Sequence, residues 1–521
     1  MAADYAAGER AIIYRVQRIA VADLGSNSFR LVVYGYERGR FWQHADEIRE
    51  AVRISEGIGE DGELRRKPVE RALRTAEVFD AYCHSAGIDE VEAVATSAIR
   101  EAPNREDLLE QVRERTSLPV RVISTEEEAR YGYLAIANST TLSDGFGVDI
   151  GGGSVQVMRL AGRRLEESAS WPLGAVRMSE RFLPGDEAGE KAMKALRKHV
   201  RKRVEKADWF GRVNGDRLVG IGGTIRNLAA AVQRRAGVNY PDAQGFVVER
   251  DALEELIEEL ASLAPAKRGR VPGIKPDRGD VILGGALVLT TLMEAGRFDE
   301  LDVTEAGLRE GVFFERFLEG RDPPLFGDVR RAAVENLARR YRDDLAHDRH
   351  VAGLSLQMFD ELGRAGLHEM GAKERELLWA ACILHDIGTA VDYDDHHKHS
   401  RYLILNAGLP GFTPREVALI ALIARYHRKG APDASELNGL ATKGDARRLD
   451  VLAGIVRLAE QFERSRDRSV TAVRVVGNGG GQVRLEPETA ADASVAIWSA
   501  RRNADLLGSA IGREVEVAPG S

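Results

Sequence analysis

Asp23-Leu24-Gly25-Ser26-Asn27-Ser28 and Asp149-Ile150-Gly151-Gly152-Gly153-Ser154 are two copies of one design. Each follows a short apolar run ending in an aspartate, and each opens into a second apolar run, a turn and a third strand-like stretch. Small residues let backbone N–H groups approach a ligand closely, and successive N–H groups in a turn form an anion-binding concavity. A carboxylate at the mouth of each turn suits a hard divalent cation. Two facing copies predict a cleft for phosphate and magnesium, with Asp23 and Asp149 near the ion. The plainer alternative for each aspartate is a turn cap at a strand end.

Working outward, residues 18–23, 28–36 and 40–44 read as strands, with Glu37-Arg38-Gly39 as a hairpin turn. A helix is expected over 69–86, with Val69, Leu73, Ala76, Val78 and Phe79 near one face. Strand 91–96, helix 105–115, strand 119–123 and a helix from 126 to 137 follow. The pattern then restarts. Strands at 145–150, 154–160 and 164–170, the last two joined by Ala161-Gly162-Arg163, lead into helices 175–183 and 187–208 and strand 217–221. The turn Gly220-Ile221-Gly222-Gly223-Thr224 opens a helix at 225–235, and helix 250–262 follows. Residues 264–278, rich in proline and glycine, read as loop, before helices 279–295 and 306–317.

The segment Gly320-Arg321-Asp322-Pro323-Pro324 marks the best domain boundary, with helices only from 328 to 465. The tail reads as strands 470–475, 481–485 and 493–498, a helix at 500–511 and a strand at 513–517, with Asn478-Gly479-Gly480-Gly481 as a turn. Three strands followed by helix, twice, predict an α/β fold with a duplicated actin-like (ribonuclease-H-like) core of the ATPase type. The expected domains are 1–137 and 138–320 for the two halves, 325–468 for an all-α domain and 469–521 for a small α+β appendage.

A chain of 521 residues exceeds what one core supports, so several domains are expected. A net charge of −8 argues against a general nucleic-acid binder. Two distant cysteines, Cys83 and Cys382, make no disulfide framework, which points to a reducing, cytoplasmic compartment. The N-terminus lacks a basic-then-apolar signal pattern and no run approaches transmembrane length, so no membrane association is expected.

Six segments carry more than a fold class: Val21-Ala22-Asp23-Leu24-Gly25-Ser26-Asn27-Ser28-Phe29-Arg30, Ala95-Thr96-Ser97-Ala98-Ile99-Arg100-Glu101-Ala102, Ile123-Ser124-Thr125-Glu126-Glu127-Glu128-Ala129, Asp149-Ile150-Gly151-Gly152-Gly153-Ser154, Pro172-Leu173-Gly174-Ala175-Val176-Arg177 and Gly220-Ile221-Gly222-Gly223-Thr224. In this order they resemble the exopolyphosphatase/guanosine pentaphosphate phosphatase (Ppx/GppA) family, and the stretch 328–465 resembles its HD-like third domain. The resemblance implies hydrolysis of the terminal phosphoanhydride of inorganic polyphosphate, or of guanosine pentaphosphate, with guanosine tetraphosphate as a related ligand. It also implies Mg²⁺ or Mn²⁺, a homodimer, and Glu128 as the group that activates water.

Anhydride hydrolysis needs charge neutralisation on phosphoryl oxygens, a positioned water and a proton acceptor. Gly25, Ser26, Asn27, Ser28, Gly151, Gly152, Gly153 and Ser154 are the expected phosphate cradle; Gly222, Gly223 and Thr224, before a helix, extend it. Arg100 is the expected bidentate phosphate contact, and Asp23, Glu128 and Asp149 the magnesium ligands. Two capping boxes are open: Thr125 with Glu128, which would consume Glu128, or Ser124 with Glu127, which would leave it free. One departure stands out. Gln156 occupies the place of the family's second glutamate, and an amide neither carries negative charge nor takes a proton. A slow enzyme or a polyphosphate- or alarmone-binding sensor is therefore a competing expectation, beside an actin-like ATPase or kinase.

His350, then His385-Asp386, then Glu460 has the spacing of HD phosphohydrolases, which makes His350, His385 and Asp386 candidates for a second metal. His396, His397, His399 and His427 are further candidate ligands, against a plain structural bundle. Arg197, Lys198, Arg201 and Lys202 lie in a basic run that reads either as a solvated helix face or as a track for long polyphosphate, which Arg330, Arg331, Arg339, Arg340 and Arg342 would extend.

Overall fold

The computed structural model describes residues 16–519 apart from 60, 186–187, 212, 214, 438 and 479–480. The start of the chain, read for a signal pattern, and the centre of the expected 478–481 turn lie outside the described residues. The chain divides into two compact units, Met1–Val232 with Phe246–Gly327, and Gln233–Gly245 with Asp328–Ser521.

Unit one repeats one layout. Strands β1 (Gln17–Leu24), β2 (Phe29–Glu37) and β3 (Phe41–Glu50) precede α1 (Arg66–Ala86), β4 (Glu90–Ala95), α2 (Ser97–Glu101), α3 (Arg105–Arg115), β5 (Val120–Val122) and α4 (Thr125–Ser139). Then β6 (Gly145–Ile150), β7 (Val155–Ala161) and β8 (Arg164–Trp171) precede α5 (Ala175–Phe182), α6 (Glu190–Val204), β9 (Arg217–Ile221), α7 (Gly223–Arg235), β10 (Val247–Glu249), α8 (Arg250–Ala261), α9 (Pro265–Arg268), α10 (Ile282–Gly296), β11 (Glu300–Val303) and α11 (Leu308–Phe317).

The first sheet has the order β3-β2-β1-β4-β5 and the second β10-β11-β9-β6-β7-β8. In each, a three-stranded meander (β1–β3, β6–β8) joins parallel neighbours of its first strand (β4 and β5; β9 and β11). The duplicated core expected from the glycine turns is therefore present. Ile19, Ala20, Val21 and Ala22 are completely buried, as a central strand covered on both faces requires. Both glycine turns leave the C-terminal ends of central strands, where open α/β sheets place ligands.

Several local expectations change. β3 runs on to Glu50 because its charged residues occupy a sheet edge, where alternation of polarity is lost. On α1, Leu73, Ala76 and Phe79 are buried, whereas Val78 points to solvent. The expected loop 264–278 contains α9 and a 3₁₀ turn at Pro276–Arg278. Strands β10 and β11, three and four residues long, are too short to have left a periodic signal.

Unit two carries α12 (Val329–Tyr341), α13 (Ala346–Arg364), α14 (Ala372–Leu384), α15 (His396–Ala407), α16 (Pro414–Tyr426) and α17 (Asp445–Phe462), then β12 (Val470–Asn478), β13 (Gln482–Thr489), α18 (Ser494–Arg501), α19 (Asp505–Ile511) and β14 (Glu514–Val517). Its three strands form the sheet β12-β13-β14. Residues 493–498, expected as a strand, are the start of α18 instead. Asp492 Oδ1 accepts from the Ser494 N–H at 3.0 Å, and burial falls on Ala496, Ser499 and Ala500, a helical spacing, with Val495 and Trp498 outside. No described helix is long and apolar enough to cross a membrane.

Candidate active site

The two glycine turns meet. Ser26 Oγ lies 3.0 Å from Ser97 Oγ, the first residue of α2. A Cβ on Gly153 would stand 2.7 Å from Ser97 Oγ and 3.0 Å from Ser26 Oγ, and one on Gly152 would stand 3.1 Å from Ser26 Cβ. Only bare backbone fits there, so each turn presents main chain to the other and to the cleft between them. Asp23, Gly25, Ser26, Asn27, Ser28, Glu128, Asp149, Gly151, Gly152, Ser154, Gly222 and Gly223 all line that cleft. Gly222, at φ +90°, carries the chain from β9 into α7, and a Cβ there would stand 2.3 Å from Asp149 Oδ1.

Ser124 and Glu127 form the capping box of α4: the Glu127 N–H donates to Ser124 Oγ at 3.1 Å, and the Ser124 N–H donates to Glu127 Oε2 at 2.9 Å. Glu128 is thereby left out of the cap and enters the cleft. Its Oε2 accepts from Arg100 Nη1 at 2.8 Å, and Arg100 also donates to the Ile123 carbonyl at 3.1 Å. Arg100, expected on phosphate, thus sits behind the carboxylate and is not among the residues lining the cleft.

Three buried carboxyls share the site. Burial pushes Asp149 up to about 7, with the charges of Glu128 and Asp23 acting the same way against Arg226. Burial likewise raises Asp23, against Arg309 and Arg30, and raises Glu128, against Arg100. Asp23 also raises Glu128, and both raise Asp149, so three crowded acids make a place for a cation.

Sequence reasoning missed the opposing charge. Arg30, Arg226, Arg278 and Arg309 line the same cleft. Burial first, and neighbouring arginines second, lower Arg30 to about 9 and Arg278 to about 10. Guanidinium stays protonated in proteins, so these shifts report crowded positive charge that an anion would relieve. Asn27 Nδ2, Thr224 Oγ1, Arg278 Nε and Arg309 Nη1 are buried without a hydrogen-bond partner among the described residues. The three that line the cleft, on Asn27, Arg278 and Arg309, match phosphoryl oxygens, whereas Thr224 is not among the lining residues. Two of these arginines had a positional signal: Arg30 stands two residues past the first turn, and Arg226 in the first turn of α7.

Gln156 lies on β7 directly opposite Asp149 on β6, and its amide donates to Ser154 Oγ at 2.8 Å. It is buried and is not among the residues lining the cleft. On α6, Arg197 pairs with Glu254 at 2.6 Å and Arg201 with Glu294 at 2.7 Å, whereas Lys198 and Lys202 are exposed. Arg330 and Arg342 bind carboxylates inside unit two, Glu376 and Glu416 for the first, Asp348 and Asp386 for the second.

Unit two brings the histidines together with one correction. His350 faces the Val470 carbonyl at 2.9 Å and Glu463, away from His385-Asp386. His347, one turn earlier on α13, takes its place, with Nε2 3.0 Å from Glu460 Oε2. His385, Asp386, His396 and His427 join it, and all five are buried.

Paired sheets with glycine turns, acids and arginines converging on one cleft define a phosphoryl-transfer protein of the actin-like class. Residues 32–319 match the Ppx/GppA phosphatase family and residues 329–486 match domain III of that family. The chain belongs to the Ppx/GppA phosphatase family. The crystal structure of the Aquifex aeolicus family member is 30% identical, with a TM-score of 0.50 over 58% of this chain and 98% of its own. An exopolyphosphatase from Cytophaga hutchinsonii shares the fold at 23% identity, with a TM-score of 0.53 over 58% of this chain and 98% of its own.

Proposed function

We propose that this phosphatase is an exopolyphosphatase that hydrolyses the terminal phosphoanhydride of inorganic polyphosphate. The observation that carries the reading is the cleft itself, where Asp23, Glu128 and Asp149 face Arg30, Arg226, Arg278 and Arg309 across two touching glycine turns. The acids and the arginines divide the labour. The arginines and the N-terminus of α7 take up the charge of the phosphoryl oxygens, which changes little in sign through the reaction but spreads at the transition state. Glu128, fixed by Arg100 and free of the helix cap, accepts a proton from the attacking water as its oxygen bonds to the terminal phosphorus. The bridging oxygen leaves with the shortened chain, and orthophosphate is released.

Three carboxylates, all hard oxygen donors and all raised by burial, fit magnesium or manganese. Asp23, Asp149 and Glu128 would hold the ion, which would supply charge neutralisation on the phosphoryl group. Gln156, removed from the cleft lining, leaves these three acids in place. Lys198 and Lys202, exposed on α6, remain the candidates for guiding a long chain.

Guanosine pentaphosphate is a second reading, favoured by a neighbouring pocket that shares Asn27 and has Val176, Leu183, Pro184, Pro265 and Val281 beside Arg53, Glu56, Glu180 and Asp280 in its lining. Apolar walls next to a phosphate site suit a nucleoside. Phosphate release with magnesium, measured across polyphosphate lengths beside guanosine pentaphosphate, tests both. Faster release from polyphosphate is expected. Release from the nucleotide alone would transfer the assignment to the second reading, and binding without release from either would leave a sensor.

A further inference from the structure

We propose that unit two holds a dinuclear transition-metal site in which Asp386 bridges two histidine pairs, His347 with His385 and His396 with His427. The ligand atoms of His347, His385 and Asp386 lie within 4.8 Å of one another, and so do those of Asp386, His396 and His427. All are buried, and they come from four different helices or their ends: α13, α14, α15 and α16.

The tautomers favour metal. His385 Nδ1 faces the Cys382 carbonyl at 2.6 Å, His396 Nδ1 the Tyr393 carbonyl at 2.8 Å, and His427 Nδ1 the Ala424 carbonyl at 2.6 Å. A carbonyl only accepts, so at His385 and His427 Nδ1 carries the proton and the neutral ring keeps its lone pair on Nε2, whereas His396 Nδ1 also has the Arg428 guanidinium at 3.4 Å. Backbone carbonyls orient metal-bound imidazoles in the same way. The Nε2 atoms of His396 and His427 are 3.1 Å apart. At that distance the two nitrogens share either a proton or a cation placed beside both. Around the same point, Asp386 Oδ1 stands 3.3 Å from His396 Nε2, 3.7 Å from His385 Nε2 and 3.9 Å from His427 Nε2.

Glu460 completes the first pair, with Oε2 3.0 Å from His347 Nε2 and 3.2 Å from His385 Nε2. His347 Nδ1 is buried with no hydrogen-bond partner among the described residues. On the far side of Asp386, Oδ2 accepts from Arg466 at 2.7 Å and Arg342 at 3.4 Å, so the two oxygens of one carboxylate face different partners. Imidazole nitrogen mixed with carboxylate oxygen selects manganese, iron, cobalt or zinc over magnesium. The site lies within unit two and stands apart from the cleft reading.

Full-length protein stripped with chelator and reloaded with cobalt(II) tests the site. Mass spectrometry of the dialysed protein should find about two tightly held ions per chain, with visible d–d bands. Each of His385→Gln and His427→Gln should lose about half of that metal, whereas His350→Ala should keep all of it. The bands should persist in Asp149→Asn, which separates this metal from any in the cleft. A wild-type protein without bands overturns the site, and this measurement needs no variant to fold. A single ion lost alike in both glutamine variants, or metal unchanged in both, overturns the bridged pair.

Discussion

Arg100 Nη1 donates to Glu128 Oε2 at 2.8 Å, and the two side chains are only 14% and 10% exposed. This contact decides how the candidate base is used. Burial raises the Glu128 carboxyl, and Arg100 is the largest influence holding it down. A general base works ionised, so activity should fall as pH drops through its pKa. Arg100→Gln removes the cation, and the acid limb of the pH–rate profile should therefore move to higher pH. A limb that stays in place would show that the pair does not tune the base.

Asp149 gives a stability prediction with a definite sign. Its folded pKa stands near 7 against an ordinary 3.8, mainly through burial. A carboxyl raised on folding lends stability that is complete below its unfolded pKa and lost as pH rises through the folded one. Cation-free protein should thus lose stability between about pH 4 and pH 7, and Asp149→Asn should raise its Tm at neutral pH by a few degrees. Magnesium should raise the Tm of the wild type more than that of the variant. Calorimetry across pH checks both.

Gly222 combines φ +90° with a hypothetical Cβ 2.3 Å from Asp149 Oδ1. Gly222→Ala should displace Asp149 and weaken both cation affinity and turnover by at least about tenfold, since β-carbon strain and steric contact act together. Titration with magnesium measures the first and phosphate release the second.

Gln156→Glu places a carboxylate opposite Asp149, where the present amide donates to Ser154 Oγ. A fourth acid beside three others should lower the magnesium concentration needed for half-maximal activity severalfold. An unchanged magnesium requirement would mean that this position has no bearing on the ion.

The sequence disclosed the cradle because glycine turns at paired strand ends are a local pattern. Asp23, Asp149 and Gly222 reach the cleft from such turns. It left the capping choice at Ser124 or Thr125 open, since both have a glutamate three residues on, and only packing of α4 selects Ser124. Arg309 and Arg278 gave no signal. They belong to no motif in a chain with 74 lysines and arginines, and their approach depends on long-range packing. The exchange of His350 for His347 has the same origin: three residues apart on α13, they differ only in which facing element they meet. Residues 493–498 misled because Ser494-Val495-Ala496-Ile497 alternates like a strand while its small residues pack as a helix.

The most direct test is magnesium-dependent phosphate release from polyphosphate by the wild type and by Glu128→Gln. The wild type should release orthophosphate, and the variant should be slower by about 10²- to 10⁴-fold while still binding the chain. Release by the variant at the wild-type rate would contradict Glu128 as the base, and no release by the wild type would contradict hydrolysis of polyphosphate altogether.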